Sequence, residues 1–143
     1  MDAAARCEQL LVLYERSPIK HTLGVTLSYD DEGRAVFDMP YRPSFDNAMG
    51  NTHGGILATL LDKAGWFTAA QHYTTWIATA DLHVQLVAPA DRQALRAVGR
   101  LVRAGRRLAV ATMEVHTGDG TLVAIGSGTY AVTTRAFSLE GAR

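Results

Sequence analysis

A loop amide, an imidazole and two glycines precede a long apolar stretch of the sequence. Asn47, His53, Gly54 and Gly55 come just before the run 56–73, whose composition predicts a helix. The first backbone N–H groups of a helix have no partner within it, and the helix dipole favours negative charge at that end. The pattern therefore indicates a site that stabilises a developing oxyanion. Taken alone, each of the four residues also has a structural interpretation, as part of a tight turn, a cap or a local side-chain bond.

Asp62 is the only acidic residue in the run 56–73. A helical wheel places it opposite the broad apolar arc that contains Leu60 and Leu61, on a face that is itself nearly apolar. An acid there loses hydration unless it has partners or a chemical role. Low polarity would raise its pKa towards the range useful for a general base. A structural carboxylate bonded to a hydroxyl or to the backbone is the alternative.

The spacing between Gly54 and Asp62 constrains how they could act together. Eight residues of straight helix separate them by about 12 Å, too far for both to reach one carbonyl group. Two copies packed antiparallel about a two-fold axis could bring Gly54 of one helix to Asp62 of the other, with the small residues Ala58, Gly65 and Ala69 permitting close approach. We therefore predict a homodimer with two equivalent sites, each built from both chains.

The composition excludes several classes of function. At 143 residues and 48% hydrophobic content, the chain is expected to form a single domain, 1–143. Its 14 basic and 14 acidic residues provide no net field to hold nucleic acid or an anionic membrane. The sequence has no basic segment ahead of a long apolar core, and its histidines have no ligand spacing, so we expect a cytoplasmic protein without a metal site. Cys7 is the only cysteine, which excludes an internal disulfide.

The order of predicted elements indicates an α+β fold. We expect a leading helix at 1–17, stopped by Pro18, then a hairpin of alternating runs, and a central helix at 54–72. Four strands follow, at 75–88, 94–103, 108–116 and 122–134. Short turn sequences connect these strands, so we predict an antiparallel meander. One long central helix wrapped by a curved antiparallel sheet of about five to six strands satisfies this order.

Alternation in the first of these strands predicts which residues face the helix. Trp76, Ala78 and Leu82 share the face expected to pack on it, whereas Thr79 and Asp81 share the other. Thr79 is therefore predicted to point away from the helix.

The motif resembles that of a known family. The matching residues are Asn47-x5-His53-Gly54-Gly55-x6-Asp62, followed by Thr79-Ala80-Asp81 and Ala88-Pro89-Ala90. From about Leu23 to Thr134 the chain resembles the hotdog-fold acyl-CoA thioesterases of the PaaI-like, phenylacetate-pathway type. The resemblance implies a hotdog fold, a homodimer or a homotetramer made of two dimers, and hydrolysis of an acyl-CoA or aryl-acyl-CoA to free acid and coenzyme A. It implies no cofactor, because coenzyme A is part of the substrate.

The resemblance also implies roles for individual residues. Gly54 would polarise the thioester carbonyl, and His53 and Asn47 would help to hold the loop and the substrate. Asp62 of the partner chain would be the base or the nucleophile. Thr79 stands where a hydroxyl that helps to position water is found.

Four further residues are candidates for binding the substrate and its coenzyme A portion. Gly55 lies beside the proposed oxyanion site, and Arg103, Arg106 and Arg107 cluster at a turn where they could grip phosphates. Solvated turn arginines are the structural alternative. Aromatic residues such as Trp66 and Trp76 could line an acyl pocket or simply pack in the core.

Two other functions remain open on the same fold. An acyl-CoA hydratase or dehydratase would also need an acid or base and a helix N-terminus, although the mid-helix position of Asp62 favours a thioesterase. A non-catalytic acyl-CoA sensor is the third possibility.

Overall fold

The structure, a computed structural model, describes residues 2–141. Its helices are α1 (Ala3–Glu15), α2 (Pro18–Leu23) and α3 (Gly54–Ala70), with two short 3-10 turns at Pro43–Phe45 and Leu139–Gly141. Its strands are β1 (Thr26–Tyr29), β2 (Ala35–Met39), β3 (Thr75–Leu86), β4 (Leu95–Ala104), β5 (Leu108–Thr117) and β6 (Leu122–Ala136). Among residues 2–141, no helix is both long and apolar enough to span a bilayer.

The six strands form one antiparallel sheet in the order β1-β2-β4-β5-β6-β3. The hairpin β1–β2 and the meander β4–β5–β6 agree with the sequence predictions. The prediction that β3 and β4 are neighbours is wrong, because β3 pairs with β6 at the far edge and β4 pairs with β2. The segment 87–94 therefore runs from the edge strand β3 past β6 and β5 to reach β4. The Thr52 N–H donates a hydrogen bond to the Ala90 carbonyl of this segment at 3.0 Å.

Helix α3 packs along the sheet through its apolar arc. Leu57, Leu60 and Leu61 are buried against the strands, as the helical wheel predicts. Burial of such side chains supplies the main favourable free energy of folding. The opposite side of the helix, which includes Ala58, Asp62 and Trp66, is only partly buried within this chain.

The small residues of α3 have a different use from the predicted one. A Cβ atom built on Gly65 would lie 2.0 Å from Tyr130 Oη, and Ala69 is fully buried. These two residues therefore let the helix approach its own sheet, and the prediction that they face a partner helix is wrong. Ala58 is only partly buried.

The N-terminal segment forms two helices separated by Arg16 and Ser17. Helix α1 ends at Glu15, and Pro18 occupies the first turn of α2, a position where its missing N–H and fixed φ are tolerated. Tyr14 of α1 packs edge-to-face on Phe37 and Phe67 at centroid distances of 5.2 and 5.5 Å. These contacts dock α1 against the central helix and β2.

Strand β3 departs from regular alternation. Its pairing with β6 shifts register between Thr75 and Ile77 and again between Thr79 and Asp81. Ile77 is fully buried, and the Thr79 hydroxyl reaches the helix. The prediction that Thr79 points away from α3 is therefore wrong, because a bulge inverts the facing of the residues before it.

Candidate active site

The start of α3 leaves one backbone amide free. His53 caps the helix, because its Nδ1 accepts a hydrogen bond from the Gly55 N–H at 2.9 Å. The carbonyl of His53 accepts from Ile56 N–H at 2.9 Å. The N–H of Gly54 has no acceptor within residues 2–141. A single unpaired donor at the positive end of the helix dipole is suited to bind an oxyanion.

Asn47 closes the loop that precedes the helix. Its Oδ1 accepts from the Met49 N–H at 2.9 Å and from the Asn51 N–H at 3.2 Å. Its own N–H donates to the Asn51 carbonyl at 2.7 Å. These bonds fix the loop on which the free Gly54 amide depends, and Asn47 borders the same cavity as Gly54.

Asp62 lies in the middle of α3 with one hydroxyl partner. The Thr79 hydroxyl donates to Asp62 Oδ1 at 2.9 Å. Burial raises the pKa of Asp62, while the Thr79 hydrogen bond and the charge of Lys63 act in the opposite direction. The net shift is upward, so the carboxylate is more basic than an exposed one. Its Oδ2 accepts no hydrogen bond from residues 2–141.

Gly54 and Asp62 border separate cavities. Gly54 lines one of about 420 Å³, together with Asn47 and Leu86. Asp62 lines another of about 320 Å³, between α3, Trp76 of β3 and the residues around the α1–α2 junction. No residue lines both cavities. Within one chain, the Gly54 amide, which is the candidate oxyanion donor, and Asp62, the candidate base, therefore do not line the same pocket.

The three candidate arginines lie apart from both cavities. Arg103, Arg106 and Arg107 are exposed at the β4–β5 turn and form no ion pair with a carboxylate of residues 2–141. Tyr73, just after α3, ties this turn to the helix by donating to the Gly105 carbonyl at 2.8 Å. The arginines therefore lie towards the C-terminal end of α3, opposite to Gly54.

Comparison with known proteins identifies the family. Residues 49–124, which include Gly54, Asp62 and Thr79, match the profile of the thioesterase superfamily. The chain belongs to this superfamily. The predicted hotdog fold, family resemblance and thioester hydrolysis are thereby confirmed.

Relatives of this thioesterase are found among both sequences and structures. The medium/long-chain acyl-CoA thioesterase YigI of Salmonella typhimurium is 28% identical over 154 residues, covering 92% of the chain and 99% of YigI. A Bacillus halodurans protein solved with CoA is 26% identical with a TM-score of 0.76, covering 92% of the chain and 91% of that protein. The Escherichia coli PaaI protein, from the phenylacetic acid degradation operon, has a TM-score of 0.86 at 21% identity, covering 96% of the chain and 100% of PaaI. At that identity the PaaI likeness concerns the fold.

Two residues of this thioesterase were not singled out by the sequence analysis. Leu86 lies so close to Gly54 that a Cβ on the glycine would be 2.5 Å from Leu86 Cδ1. Lys63 lines the Asp62 cavity. The sequence could have pointed to Lys63, because it is a charged residue directly after Asp62 in an apolar run. No local sequence pattern indicates that Leu86 contacts Gly54. Within residues 2–141 no group of three or more His, Cys, Asp or Glu side chains is arranged to hold a metal ion.

Proposed function

We propose that the protein hydrolyses the thioester of an acyl-CoA or aryl-acyl-CoA, releasing the free acid and coenzyme A. The observation that carries this proposal is the unpaired Gly54 amide at a helix N-terminus together with a half-buried carboxylate, Asp62, of raised pKa. Hydrolysis needs a donor for the oxyanion and a base or nucleophile at one carbonyl carbon. The names of YigI and of the CoA-bound Bacillus protein support coenzyme A as the thiol part of the substrate.

We further propose that each site is formed by two chains paired through β3. Strand β3 is an edge strand of the sheet, and its unpaired N–H and C=O groups can accept another strand. Leu86 near its end packs on Gly54, and Thr79 contacts Asp62. If two β3 strands pair antiparallel about an axis at His83, Leu82 lies opposite Val84 of the other chain, and the bulge at Thr79 lies opposite Leu86.

Side-chain direction supports this register. Residues directly opposite each other in an antiparallel pair point to the same face of the sheet. Thr79 and Leu86 both point towards α3 of their own chain, as their contacts with Asp62 and Gly54 require. Pairing them across the axis therefore brings the free amide of one chain to the carboxylate of its partner, which the 12 Å separation along one helix prevents.

The proposed chemistry uses these groups directly. The thioester carbonyl oxygen accepts a hydrogen bond from the Gly54 N–H, which strengthens as the tetrahedral oxyanion forms. Asp62 of the partner chain takes a proton from water as the water attacks the carbonyl carbon, or attacks that carbon itself to form a transient anhydride. Thr79 acts as a positioning residue that fixes one carboxylate oxygen, while His53 and Asn47 hold the loop that carries Gly54.

The coenzyme A portion is proposed to leave the site along the surface. Exposed Arg103, Arg106 and Arg107 have no carboxylate partner within residues 2–141 and are available to its phosphates. Gly55 has no free amide to offer the substrate, because its N–H is already bonded to His53 Nδ1. A dimer of dimers in the cytoplasm is the proposed assembly and location, and light scattering on the purified protein tests the first.

The activity is tested by measuring thiol release from a panel of acyl-CoAs. The shared site is tested with hybrid dimers, isolated through two different affinity tags, that combine an Asp62→Ala chain with a Gly54→Pro chain. Such a hybrid keeps one intact site and should recover about half of the wild-type activity, because a two-fold dimer has two sites. Neither parent homodimer should be active.

A second hybrid provides the matched control. A wild-type chain paired with a chain carrying both substitutions has no intact shared site, so this hybrid should be inactive. A site contained in one chain predicts the reverse, with activity only in the second hybrid. That reversed pattern would rule out the shared arrangement while leaving the hydrolase activity in place.

A further inference from the structure

Lys63 is a half-buried cation that the proposed reaction does not use. Its Nζ lies 4.8 Å from the centroid of the Tyr14 ring and 5.9 Å from that of Phe37. Both aromatic side chains are themselves buried. Within residues 2–141 the Lys63 ammonium has no hydrogen-bond acceptor and no carboxylate within ion-pair distance.

An ammonium in these surroundings is under-solvated. Removing a charge from water is unfavourable unless hydrogen bonds or an opposite charge replace its hydration, and aromatic faces compensate only in part. Burial accordingly lowers the pKa of Lys63, and nearby Asp62 opposes that shift. The lysine therefore has unused capacity to donate hydrogen bonds to an oxygen that enters its surroundings.

The place of Lys63 defines where such an oxygen would come from. Lys63 and Asp62 line the same cavity of about 320 Å³. Its other walls include Tyr14 of α1, Trp66 of α3 and Trp76 of β3. If the thioester carbonyl is attacked at Asp62, the acyl group has this largely apolar cavity beside it. Its volume lies near the lower end of the range of roughly 300–1,000 Å³ for ligand pockets, which favours a short chain or a single ring.

We infer that the preferred acyl group carries a hydrogen-bond-accepting oxygen at its far end, bound by Lys63. This inference rests on the proposed acyl-CoA hydrolysis and names the substrate class of the same site. The aromatic walls hold the apolar part of the acyl group, and the lysine selects acyl groups that end in a hydroxyl or a carboxylate over those that end in a methyl group.

Binding of non-hydrolysable analogues tests the inference without depending on turnover. We would measure the Kd values of three S-(2-oxoalkyl)-CoA analogues of equal chain length, corresponding to hexanoyl, 6-hydroxyhexanoyl and adipyl groups. The wild-type protein should bind at least one oxygen-terminated analogue about tenfold or more tightly than the methyl-terminated one, as expected for a charge-assisted hydrogen bond. The hydroxyl and carboxylate arms distinguish a neutral from a charged oxygen.

A substitution isolates the contribution of the lysine. Lys63→Met keeps the aliphatic stem and a good helix former, and it should remove the preference for oxygen. Loss of the charge beside Asp62 could also alter binding in general, but such an effect changes the Kd values of all three analogues by the same factor and cancels in their ratio. Lys63→Arg should keep a preference. Lys20→Met, a control outside the cavity, should leave the ratio unchanged.

Two results would overturn the inference. One is a wild-type protein that binds the three analogues equally, a result that needs no variant to fold. The other is a preference that persists undiminished in Lys63→Met. Thiol release from the corresponding thioesters is measured in parallel and tests the proposed hydrolysis. The analogue Kd values test the role of Lys63 independently, because they can be measured even if no thioester is hydrolysed.

Discussion

Replacing Gly54 by proline deletes one backbone donor at a position where proline fits. Gly54 is the first residue of α3, and proline is favoured there because that N–H has no partner within the helix. The preceding residue, His53, has φ −58° and ψ 136°, an extended conformation that a following proline accepts. The fold therefore loses no internal hydrogen bond, and its free energy of unfolding should change little.

The catalytic effect should be much larger. Loss of one oxyanion-hole donor lowers kcat by about 10²–10³, or ~2.7–4 kcal/mol of transition-state stabilisation. We expect a loss of this size in thiol release from an acyl-CoA, with Tm near that of the wild type.

Gly54→Ala is the matched control because it adds a Cβ and keeps the N–H. That Cβ would lie 2.5 Å from Leu86 Cδ1, and Leu86 is 55% exposed, so its side chain has room to move. Gly54→Ala should therefore retain most of the activity. Equal losses in the two variants would show that crowding against Leu86 is responsible, and a folded Gly54→Pro enzyme of undiminished kcat would refute the oxyanion role.

Three further predictions concern Asp62 and the packing of α3. Asp62→Asn should abolish turnover yet raise Tm at pH 7. Burial raises the folded-state pKa of Asp62, so the contribution of this side chain to stability is present at low pH and lost as pH rises through that pKa. At pH 7 the neutral Asn side chain avoids the cost of burying the charge. An unchanged or lower Tm would contradict this sign. Thr79→Val removes a hydrogen bond that holds the pKa of Asp62 down, so the acidic limb of the kcat/KM profile should move to higher pH, and a limb that moves down would exclude the assigned contact. Gly65→Ala places a Cβ 2.0 Å from Tyr130 Oη and should lower the free energy of unfolding, measured in urea, by about 1–3 kcal/mol. Gly118→Ala is the control: its Cβ would lie 3.9 Å from the nearest atom, so the free energy of unfolding should hardly change.

Local patterns predicted the elements of the fold but not all of their neighbours. Alternation and turn residues located β4, β5 and β6 to within a few residues, because strand periodicity and short hairpins are properties of adjacent residues. The turn-like sequence 89–91 suggested one more hairpin. Instead, the segment 87–94 carries the chain across the sheet, because β2 pairs with β4 and leaves β3 to pair with β6. Which strand fills an edge is decided by packing on α3, which no local pattern contains.

The candidate site was predictable where it depends on helix geometry and unpredictable where it depends on irregular backbone. The cap by His53 and the free amide of Gly54 follow from a helix that begins at two glycines. The contact between Thr79 and Asp62 depends on a bulge, since one extra residue reverses which side chains face the helix. Lys63 stayed unassigned because its significance comes from the rings of Tyr14 and Phe37, far away in the sequence.

Gly65 and Ala69 bear on which contact fixes the geometry of the proposed dimer. Because these residues pack on their own sheet, helix-to-helix contact does not fix the position of the two-fold axis, and the register of β3 against its partner does. A slip of one residue in that register moves the strands by about 3.3 Å relative to each other. That displacement exceeds the tolerance of a hydrogen bond, so the same slip would separate the Gly54 amide from the partner's carboxylate. It would also place Thr79 and Leu86 out of alignment across the axis. Backbone pairing at an edge strand thus determines, in the proposed assembly, whether two incomplete sites become one catalytic centre.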